Sequence, residues 1–201
     1  MTDDLAIRSF QPSDLDALYD ICLRTGSAGE DASDLVDDPR LFGEIYAAPY
    51  AHLEPEHAFV LAPRAGVPVG YVLGALDTVA FDARCEAEWW PPLRARHPEE
   101  PGGTRLDDLL VHLIHHRTAP DPEILATHPS HLHIDLLPQV QAQGWGRRLL
   151  EAELDALRHD GSAGVHWGVS TRNERAISFY QHLGCQELAA NDLSRTFGVR
   201  L

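Results

Sequence analysis

The stretch HLHIDLLPQVQAQGWGRRLL, from His131 to Leu150, decides how the rest of the chain can fold. Its pattern predicts an apolar strand, a turn at Pro138, a glycine-spaced loop and then an amphipathic helix. A helix that begins just after closely spaced glycines presents free backbone N–H groups and the positive end of its dipole. Gly144 and Gly146 let the backbone approach an anion without an intervening Cβ. The stretch therefore predicts a phosphate or pyrophosphate site.

A second strand–helix unit follows between Val165 and Leu188. Its apolar segment leads into Asn173, and the helix after it ends with Phe179 and Tyr180, shortly before a Gly-Cys pair. Together with the glycine-spaced loop, this unit resembles the GCN5-related N-acetyltransferases (GNAT), which hold the pyrophosphate of acyl-CoA on such a loop. That family carries an asparagine after its fifth strand and a Phe-Tyr-x-x-x-Gly-aromatic helix end. Cys185 stands where the aromatic residue is usual, which is a departure at a packing position.

The resemblance implies a fold. It predicts a single acetyltransferase domain over residues 1–201, of the α/β (α+β) class. Its centre is a mixed, mostly antiparallel, twisted sheet of about seven strands flanked by helices. About residues 78–129 would separate the third and fourth strands, which is long for a loop without its own structure, so we expect a helical insertion there. Its two helices are expected near residues 81–97 and 106–117.

Three segments narrow the resemblance to one branch of the family. They are Trp-Trp-Pro-Pro-Leu-Arg at 89–94, the HLHIDLLP strand, and the strand end Gly-Ala-Leu-Asp at 74–77. They resemble the acetyltransferase-like C-terminal domain of eukaryotic O-GlcNAc hydrolases and its stand-alone bacterial relatives, over roughly residues 69–201. In the eukaryotic domain the glycine-spaced loop is degraded, whereas here it is intact. The resemblance therefore implies a bacterial protein that binds acetyl-CoA.

The implied activity is the direct transfer of acetyl from acetyl-CoA to a primary amine, on a small molecule or on a protein lysine or N-terminus. A backbone N–H near Leu136 would polarise the thioester carbonyl, Asn173 would hold the pantetheine arm, and Tyr180 would protonate the leaving thiolate. Arg172 and Arg175 join the arginines of the loop as candidates for phosphate contacts. Carried over residue by residue, the cofactor-binding set is Leu136, Leu137, Gln141, Gln143, Gly144, Trp145, Gly146, Arg147, Arg148, Asn173 and Tyr180.

The base that takes the proton from the amine stays open at the level of sequence. Asp77, at a strand end, is a candidate for this role or for acceptor binding, and equally a candidate helix N-cap. Asp135 alternates with His131 and His133 on one strand face, where burial would raise the pKa of a carboxyl group. One of the histidines, or water, is the remaining alternative. The predicted catalytic residues are Tyr180, Asp135 and Asp77.

Two groups of histidines raise the question of a metal site. His112, His115 and His116 share a helix face, and His131 and His133 share a strand face. Because no cysteine or carboxylate is spaced along the chain to complete a ligand set, we interpret them as solvated or hydrogen-bonded histidines and predict no metal. For His131 and His133 a proton path is a second interpretation, since related amine acetyltransferases carry histidine on this strand.

The acceptor is expected to meet the polar stretch 26–38, the short helix near 41–46 and the insertion. In the resembled family this region covers the acceptor site. Phe42, Tyr46 and Tyr50 are candidates to line that site, with core packing as the alternative for each. None of these residues identifies the acceptor.

The amino-acid composition limits the kinds of partner that the protein is expected to bind. The net charge is −15 at pH 7, and all 16 basic residues are arginine. So acidic a chain argues against nucleic-acid and anionic-membrane partners and favours cationic amines, although plain solubility explains it equally well. Three widely spaced cysteines form neither a disulfide framework nor a zinc pattern. The sequence contains no signal peptide or long apolar stretch, so we expect a cytoplasmic protein.

Two other classes of protein remain as alternatives. One is a GNAT-like module that binds CoA or a partner without turnover, and the presence of Asn173 and Tyr180 counts against it. The other is a nucleotide-binding protein unrelated to CoA. The lack of a Lys-Ser/Thr pair in the loop, and the place of the loop after the fourth predicted strand, count against that class. A monomer and a homodimer are both compatible with the sequence.

Overall fold

A mixed sheet crosses the described part of the chain, which comprises residues 5–64, 66–100, 102–119 and 121–201 of this computed structural model. The sheet has the order β1-β2-β3-β4-β5-β7-β6, and neighbouring strands are antiparallel except for β4 and β5. The predicted sheet of about seven strands is therefore confirmed. The strands are β1 (Leu5–Ser9), β2 (Ala58–Pro63), β3 (Gly70–Ala75), β4 (Ser130–Leu136), β5 (Gly164–Ser170), β6 (Gln186–Ala190) and β7 (Ser194–Arg200).

Helices cover both faces of this sheet. On one face lie the helices before and inside the insertion, and on the other lie the two helices that follow β4 and β5. The helices are α1 (Leu15–Leu23), α2 (Leu41–Tyr46), α3 (Ala48–Leu53), α4 (Thr78–Arg84), α5 (Trp90–Arg96), α6 (Arg105–His115), α7 (Pro122–Leu125), α8 (Trp145–His159) and α9 (Glu174–His182).

The central strand β3 divides the apolar core into two parts. All six of its residues are buried. Because successive side chains of a strand point to opposite faces, Tyr71 and Leu73 pack under α1–α6, whereas Val72 packs under α8 and α9. The hairpin that joins β2 to β3 is confirmed. Its predicted turn at 64–66 includes Ala65, which lies outside the described residues.

The insertion between β3 and β4 is helical, as expected. Its first helix begins at Thr78, because the Asp77 carboxylate accepts a hydrogen bond from the Ala80 N–H at 2.9 Å and so caps α4. The helix continues through a π-helical turn, Cys85–Trp89, into α5. The second predicted helix is α6, which begins with a capping box formed by Thr104 and Asp107.

The insertion is tied to α2 through one buried carboxylate. Glu44, which is 3% exposed, lies 2.9 Å from the Arg96 guanidinium and 3.0 Å from the His97 ring. The Trp89 indole N–H donates to the Glu44 carbonyl at 2.9 Å. Since α2 carries Phe42 and Tyr46, the insertion fixes the position of two candidate acceptor-site aromatics.

Candidate active site

Strands β4 and β5 pair only where they begin, with Ser130 opposite Val165 and His131 opposite His166. Beyond these two pairs the strands diverge, as the resemblance implies. The gap opens into a cavity of about 240 Å³, which is bounded by residues of α1, α2, β4, β5 and α9. Strand edges that separate in this way leave backbone groups unpaired, and an extended ligand can hydrogen-bond to them as an added strand does.

The loop before α8 leaves a cluster of backbone N–H groups without partners. Ala142 and Gly144 have left-handed backbone conformations, with φ of 57° and 81°. Gly144 is the N-cap of the 15-residue helix α8, and no side chain caps this end. Within the described chain, the backbone N–H groups of residues 143–147 donate no hydrogen bond. This arrangement fits the pyrophosphate of acetyl-CoA, because a helix N-terminus with free N–H groups binds phosphate.

The two glutamine side chains of the loop act inside the protein. The Gln141 side-chain amide donates to the Leu136 carbonyl at 2.6 Å, and that of Gln143 donates to the Gln139 carbonyl at 2.9 Å. Both residues were predicted to bind the cofactor. In this structure their side chains hold the loop in shape, so they present its N–H groups rather than their own amides.

The two loop glycines serve different needs. A Cβ on Gly144 would meet no atom within 4 Å, so its left-handed backbone is what favours glycine there. A Cβ on Gly146 would lie 3.3 Å from the Phe179 ring. Glycine at 146 therefore lets α8 approach α9 closely beside the loop.

Leu136 and Leu137 differ in what they offer a ligand. The Leu137 N–H donates to the Val69 carbonyl at 2.9 Å, on the side of β3. Because successive N–H groups of a strand alternate between its two edges, the Leu136 N–H points toward the gap. Leu136 therefore keeps a free donor at the expected place. Leu137, also predicted to bind the cofactor, has no N–H left to give and is buried in the core.

Arginines surround the loop and the start of α9. Arg147 forms an exposed ion pair with Glu151 at 2.7 Å, and Arg148 lies 4.7 Å above the ring of Trp145. Arg175 donates to a carbonyl of the α1–α2 loop at 3.3 Å, and with Arg172 it lines a second hollow at the mouth of the gap. All four stay candidates for phosphate contacts.

Asn173 and Tyr180 both face the cavity. Asn173 Oδ1 accepts from the Ala176 N–H at 3.0 Å, which caps α9 and leaves the side-chain amide nitrogen for a ligand. Tyr180 is 6% exposed and packs against Trp167, with ring centroids 5.2 Å apart. Within the described residues its hydroxyl forms no hydrogen bond, and burial raises the pKa of that hydroxyl. Tyr180 is therefore a neutral donor directed at the cavity.

A buried polar cluster forms the inner wall of the cavity. Asp135 Oδ2 accepts from the Tyr71 hydroxyl at 2.8 Å and lies 2.9 Å from His133 Nε2. Burial opposes protonation of His133, but the Asp135 carboxylate outweighs it and raises the pKa of His133 to about 10. The thiol of Cys22 lies against the same ring, and its burial raises its pKa. At neutral pH His133 is therefore protonated, and the thiol beside it is neutral.

His131 and Asp77 lie at the other end of β4. Burial lowers the pKa of His131 to about 3, and its Nδ1 lies 2.8 Å from the Thr78 hydroxyl. Asp77 is exposed and caps α4, which corresponds to its helix N-cap interpretation. Because β3 and β4 are antiparallel, the end of β3 that carries Asp77 is opposite to the end of β4 that carries Leu136. The structure therefore brings Asp135, and not Asp77, to the cavity with Tyr180.

The three candidate aromatics divide between the site and the core. Phe42 and Tyr46 line the cavity, and Tyr46 stacks on His133 with ring centroids 5.8 Å apart. Tyr50 packs on Phe81 at 4.7 Å within the core. The acceptor-site interpretation thus fits the first two, and the packing interpretation fits Tyr50.

The surface histidines have a carboxylate partner after all. Glu99 lies 2.7 Å from His112 Nδ1 and 2.9 Å from His116 Nε2. The argument that no carboxylate completes this group was wrong, because the turn between α5 and α6 brings Glu99 over the helix. His115 faces elsewhere and lies 2.8 Å from the His97 carbonyl.

Sequence reasoning missed two residues that line the cavity, Cys22 and Trp167, and the Tyr71 side chain that supports Asp135 from the next strand. The buried Trp167 indole N–H has no hydrogen-bond partner within the described chain. Cys22 was noted only as one of three widely spaced thiols. The pairing of β3 with β4 places Tyr71 directly opposite Asp135, so the strand register would have revealed this contact.

Comparison with known proteins agrees with these structural features. Residues 15–185 match the family described as Acetyltransferase (GNAT) family. The chain belongs to this family. It is an acyltransferase of the GNAT type, and its cofactor is acetyl-CoA. None of the helices in the described residues is long and apolar enough to cross a membrane.

Individual relatives agree with the narrower resemblance. Protein O-GlcNAcase from Rattus norvegicus, and that from Mus musculus, are each 27% identical over 186 residues, which cover 91% of this chain. The chain spans about a fifth of the length of these two proteins. The crystal structure of SsHAT is 43% identical, with a TM-score of 0.90 and 98% of each chain covered.

A more distant structure shares the fold alone. YncA from Salmonella typhimurium, a putative acetyltransferase solved with its cofactor acetyl-CoA, is 14% identical with a TM-score of 0.58. The alignment covers 98% of this chain and 94% of that protein. The bound acetyl-CoA is an observation on that protein alone. The cofactor site of this chain is inferred from its own loop before α8.

Proposed function

We propose that this GNAT protein transfers acetyl from acetyl-CoA directly to a primary amine, on a small molecule or a peptide. The proposal is carried by the placing of three groups along the gap between β4 and β5: Tyr180 and the Asp135 carboxylate line its cavity, and the unpaired N–H of the next residue, Leu136, faces the same gap. A donor at the carbonyl oxygen, an acid for the leaving group and a carboxylate for the amine are what direct acyl transfer needs.

The cofactor would be held along the splayed edge of β4. The N–H groups of residues 143–147 and the flanking arginines would take the pyrophosphate. The Asn173 amide nitrogen would bond the pantetheine arm, and the Leu136 N–H would lie at the thioester oxygen. An oxyanion donor of this kind contributes about 10²–10³-fold to the rate.

The chemical step would use Tyr180 as the acid. As the amine nitrogen forms a bond to the acetyl carbon, the carbon–sulfur bond breaks and the sulfur leaves with the electron pair. The Tyr180 hydroxyl would give that sulfur its proton. As the amide forms, the extra proton on the attacking nitrogen would leave and restore the Tyr180 hydroxyl. Because burial raises the pKa of Tyr180, its hydroxyl is neutral and carries the proton before the step.

Asp135 would receive the amine. Its Oδ2 is already occupied by Tyr71 and His133, while Oδ1 makes no hydrogen bond within the described residues. The free oxygen would accept a hydrogen bond from the cationic amine and take its proton. Tyr46 and Phe42 would form the apolar wall beside it.

The test is release of free thiol from acetyl-CoA in the presence of a panel of amines, comprising polyamines, amino sugars and peptides with a free lysine or N-terminus. Tyr180→Phe is expected to lower kcat about 10²–10⁴-fold and leave acetyl-CoA affinity unchanged. Tyr50→Phe, at a partly buried tyrosine outside the cavity, is the matched control and should change kcat less than tenfold. A Tyr180→Phe variant with wild-type kcat would remove Tyr180 from the mechanism.

The alternative is a module that binds CoA without turnover. Binding of acetyl-CoA with no thiol release for any amine would support it.

Several expectations from the sequence stay predictions. They are a single domain over residues 1–201, a bacterial origin, a cytoplasmic location, and a monomer or homodimer that binds neither nucleic acid nor membrane.

A further inference from the structure

The inner wall of the cavity holds three side chains of metal-ligand type. Cys22 comes from α1, and His133 and Asp135 come from adjacent inward positions of β4. One ligand atom from each lies within 4.8 Å of the other two. Cys22 lies more than a hundred residues before the other two, so no spacing motif in the sequence indicates the group.

We propose that Cys22, His133 and Asp135 form a binding site for a divalent metal ion of the zinc type. A thiolate, an imidazole and a carboxylate are the three ligand classes that Zn²⁺ takes from proteins. Three protein ligands with the fourth position open describe an accessible site rather than a closed structural one. Here the open position faces the cavity.

The ligands are already close to a coordinating arrangement. Neighbouring ligands around tetrahedral zinc are about 3.5 Å apart, given metal–ligand distances of about 2.0–2.3 Å. His133 and Asp135 are 2.9 Å apart, and the remaining separations, which are within 4.8 Å, need to shorten by at most about 1.3 Å. Rotation of the side chains covers such a change without movement of β4.

Two further observations indicate a built site. The Nε2 atom of His133 is buried and lies 2.9 Å from Asp135 Oδ2, so the ring nitrogen and the carboxylate already face each other as two ligands of one ion would. The Tyr71 hydroxyl, on a side chain that is 0% exposed, donates to Asp135 and fixes the orientation of that carboxylate. Ligating carboxylates in metal sites have supports of this kind.

Binding has a defined proton balance. The Cys22 thiol and the His133 imidazolium each release one proton to solvent, and the metal takes the lone pairs that those protons occupied. The ion also takes the Asp135 carboxylate. If Asp135 receives the amine, as in the proposed function, a bound metal excludes the acceptor from the site. This exclusion of the acceptor rests on the proposed function, whereas the binding of the metal does not.

Cobalt(II) is a suitable probe, because a thiolate ligand gives it a charge-transfer band in the near ultraviolet. The surface cluster of Glu99, His112 and His116 would also take cobalt, but it has no thiol and gives no such band. Chelator-treated protein is titrated with cobalt(II) chloride, and then with zinc chloride to displace it. Cys22→Ser is compared with Cys185→Ser, which removes a half-buried thiol away from the cavity wall.

The wild type and Cys185→Ser are expected to show the band, Cys22→Ser is expected to lose it, and zinc should abolish it. Tyr71→Phe should keep the band with affinity weakened about 10–100-fold. Absence of the band in the wild type at millimolar cobalt, or its persistence in Cys22→Ser, overturns the proposal. If Cys22→Ser does not fold, Asp135→Asn decides, because unchanged cobalt affinity there also overturns it. No acetyl-CoA or amine is present, so failure here is distinct from failure of the transferase.

Discussion

Substituting the carboxylate beside His133 should move the pKa of that histidine by more than three pH units. In the wild type the pKa of His133 is raised from 6.5 to about 10, against the effect of burial, by Asp135 at 2.9 Å. This rise corresponds to ~5 kcal/mol in favour of the charged ring. In Asp135→Asn the strongest influence that raises the pKa is lost, and burial is opposed by the neighbouring Cys22 alone. His131, on the same face of β4 but without a carboxylate partner, shows the effect of burial, since its pKa falls to about 3.

The protonation state of His133 at each pH, and its effect on stability, follow from these two pKa values. His133 in the wild type should stay protonated from pH 5 to pH 9, whereas in Asp135→Asn it should be neutral at pH 7. Because the folded-state pKa is raised, its contribution to stability is complete below pH 6.5 and is lost as pH rises through about 10. Asp135→Asn should therefore be less stable than the wild type at pH 7.

The assay is NMR of the histidine Cε1–H resonances between pH 5 and pH 10.5, with His133 assigned by the loss of its resonance in His133→Gln. Asp77→Asn is the matched control, because Asp77 was predicted for the same role but lies at the far end of β4. It should leave the His133 titration unchanged. A His133 that titrates near pH 6.5 in the wild type, or identically in both aspartate variants, refutes the argument.

The remaining predictions concern the framework of the site. Glu153 is 0% exposed and lies 3.2 Å from His57. Burial raises the pKa of Glu153 from 4.5 to about 7. Because the folded-state pKa is raised, the contribution of Glu153 to the free energy of unfolding falls as pH rises from 4.5 to 7. Urea unfolding should show that Glu153→Gln loses this dependence; equal slopes in both proteins would contradict it. Glu44→Ala should cost ~2 kcal/mol of unfolding free energy, because Arg96 and His97 lose their acceptor. It should also raise KM for the amine and not for acetyl-CoA, and an unchanged amine KM would show that the insertion does not position Tyr46.

The parts of the fold that local chemistry dictates could be predicted from the sequence. The glycine-spaced loop before α8 and the start of α9 just after Asn173 depend on backbone conformation and capping, which neighbouring residues determine. The insertion helices followed from the length of the connection, which is too great for a loop without its own structure. The short α7 was not predicted, because four residues carry too little periodicity to identify a helix.

The contacts that depend on strand register and on long connections could not be predicted. The approach of Cys22 to His133 requires the packing of α1 on β4, more than a hundred residues away along the chain. Asp77 follows the end of one strand and Asp135 lies near the end of another, so the pattern does not say which of the two reaches the site. Only the antiparallel pairing of β3 with β4 separates them, by placing one at each end.

The central claim is that the loop before α8 binds acetyl-CoA, and calorimetric titration of acetyl-CoA tests it most directly. Gly144→Trp is compared with Gly161→Trp, at the opposite end of α8. Both glycines have left-handed backbones, with φ of 81° and 92°, and a Cβ on either meets nothing within 4 Å, so the two variants carry similar strain. The account predicts micromolar binding by the wild type and Gly161→Trp, and its loss in Gly144→Trp. Absence of binding by the wild type, or equal binding by both variants, would contradict it.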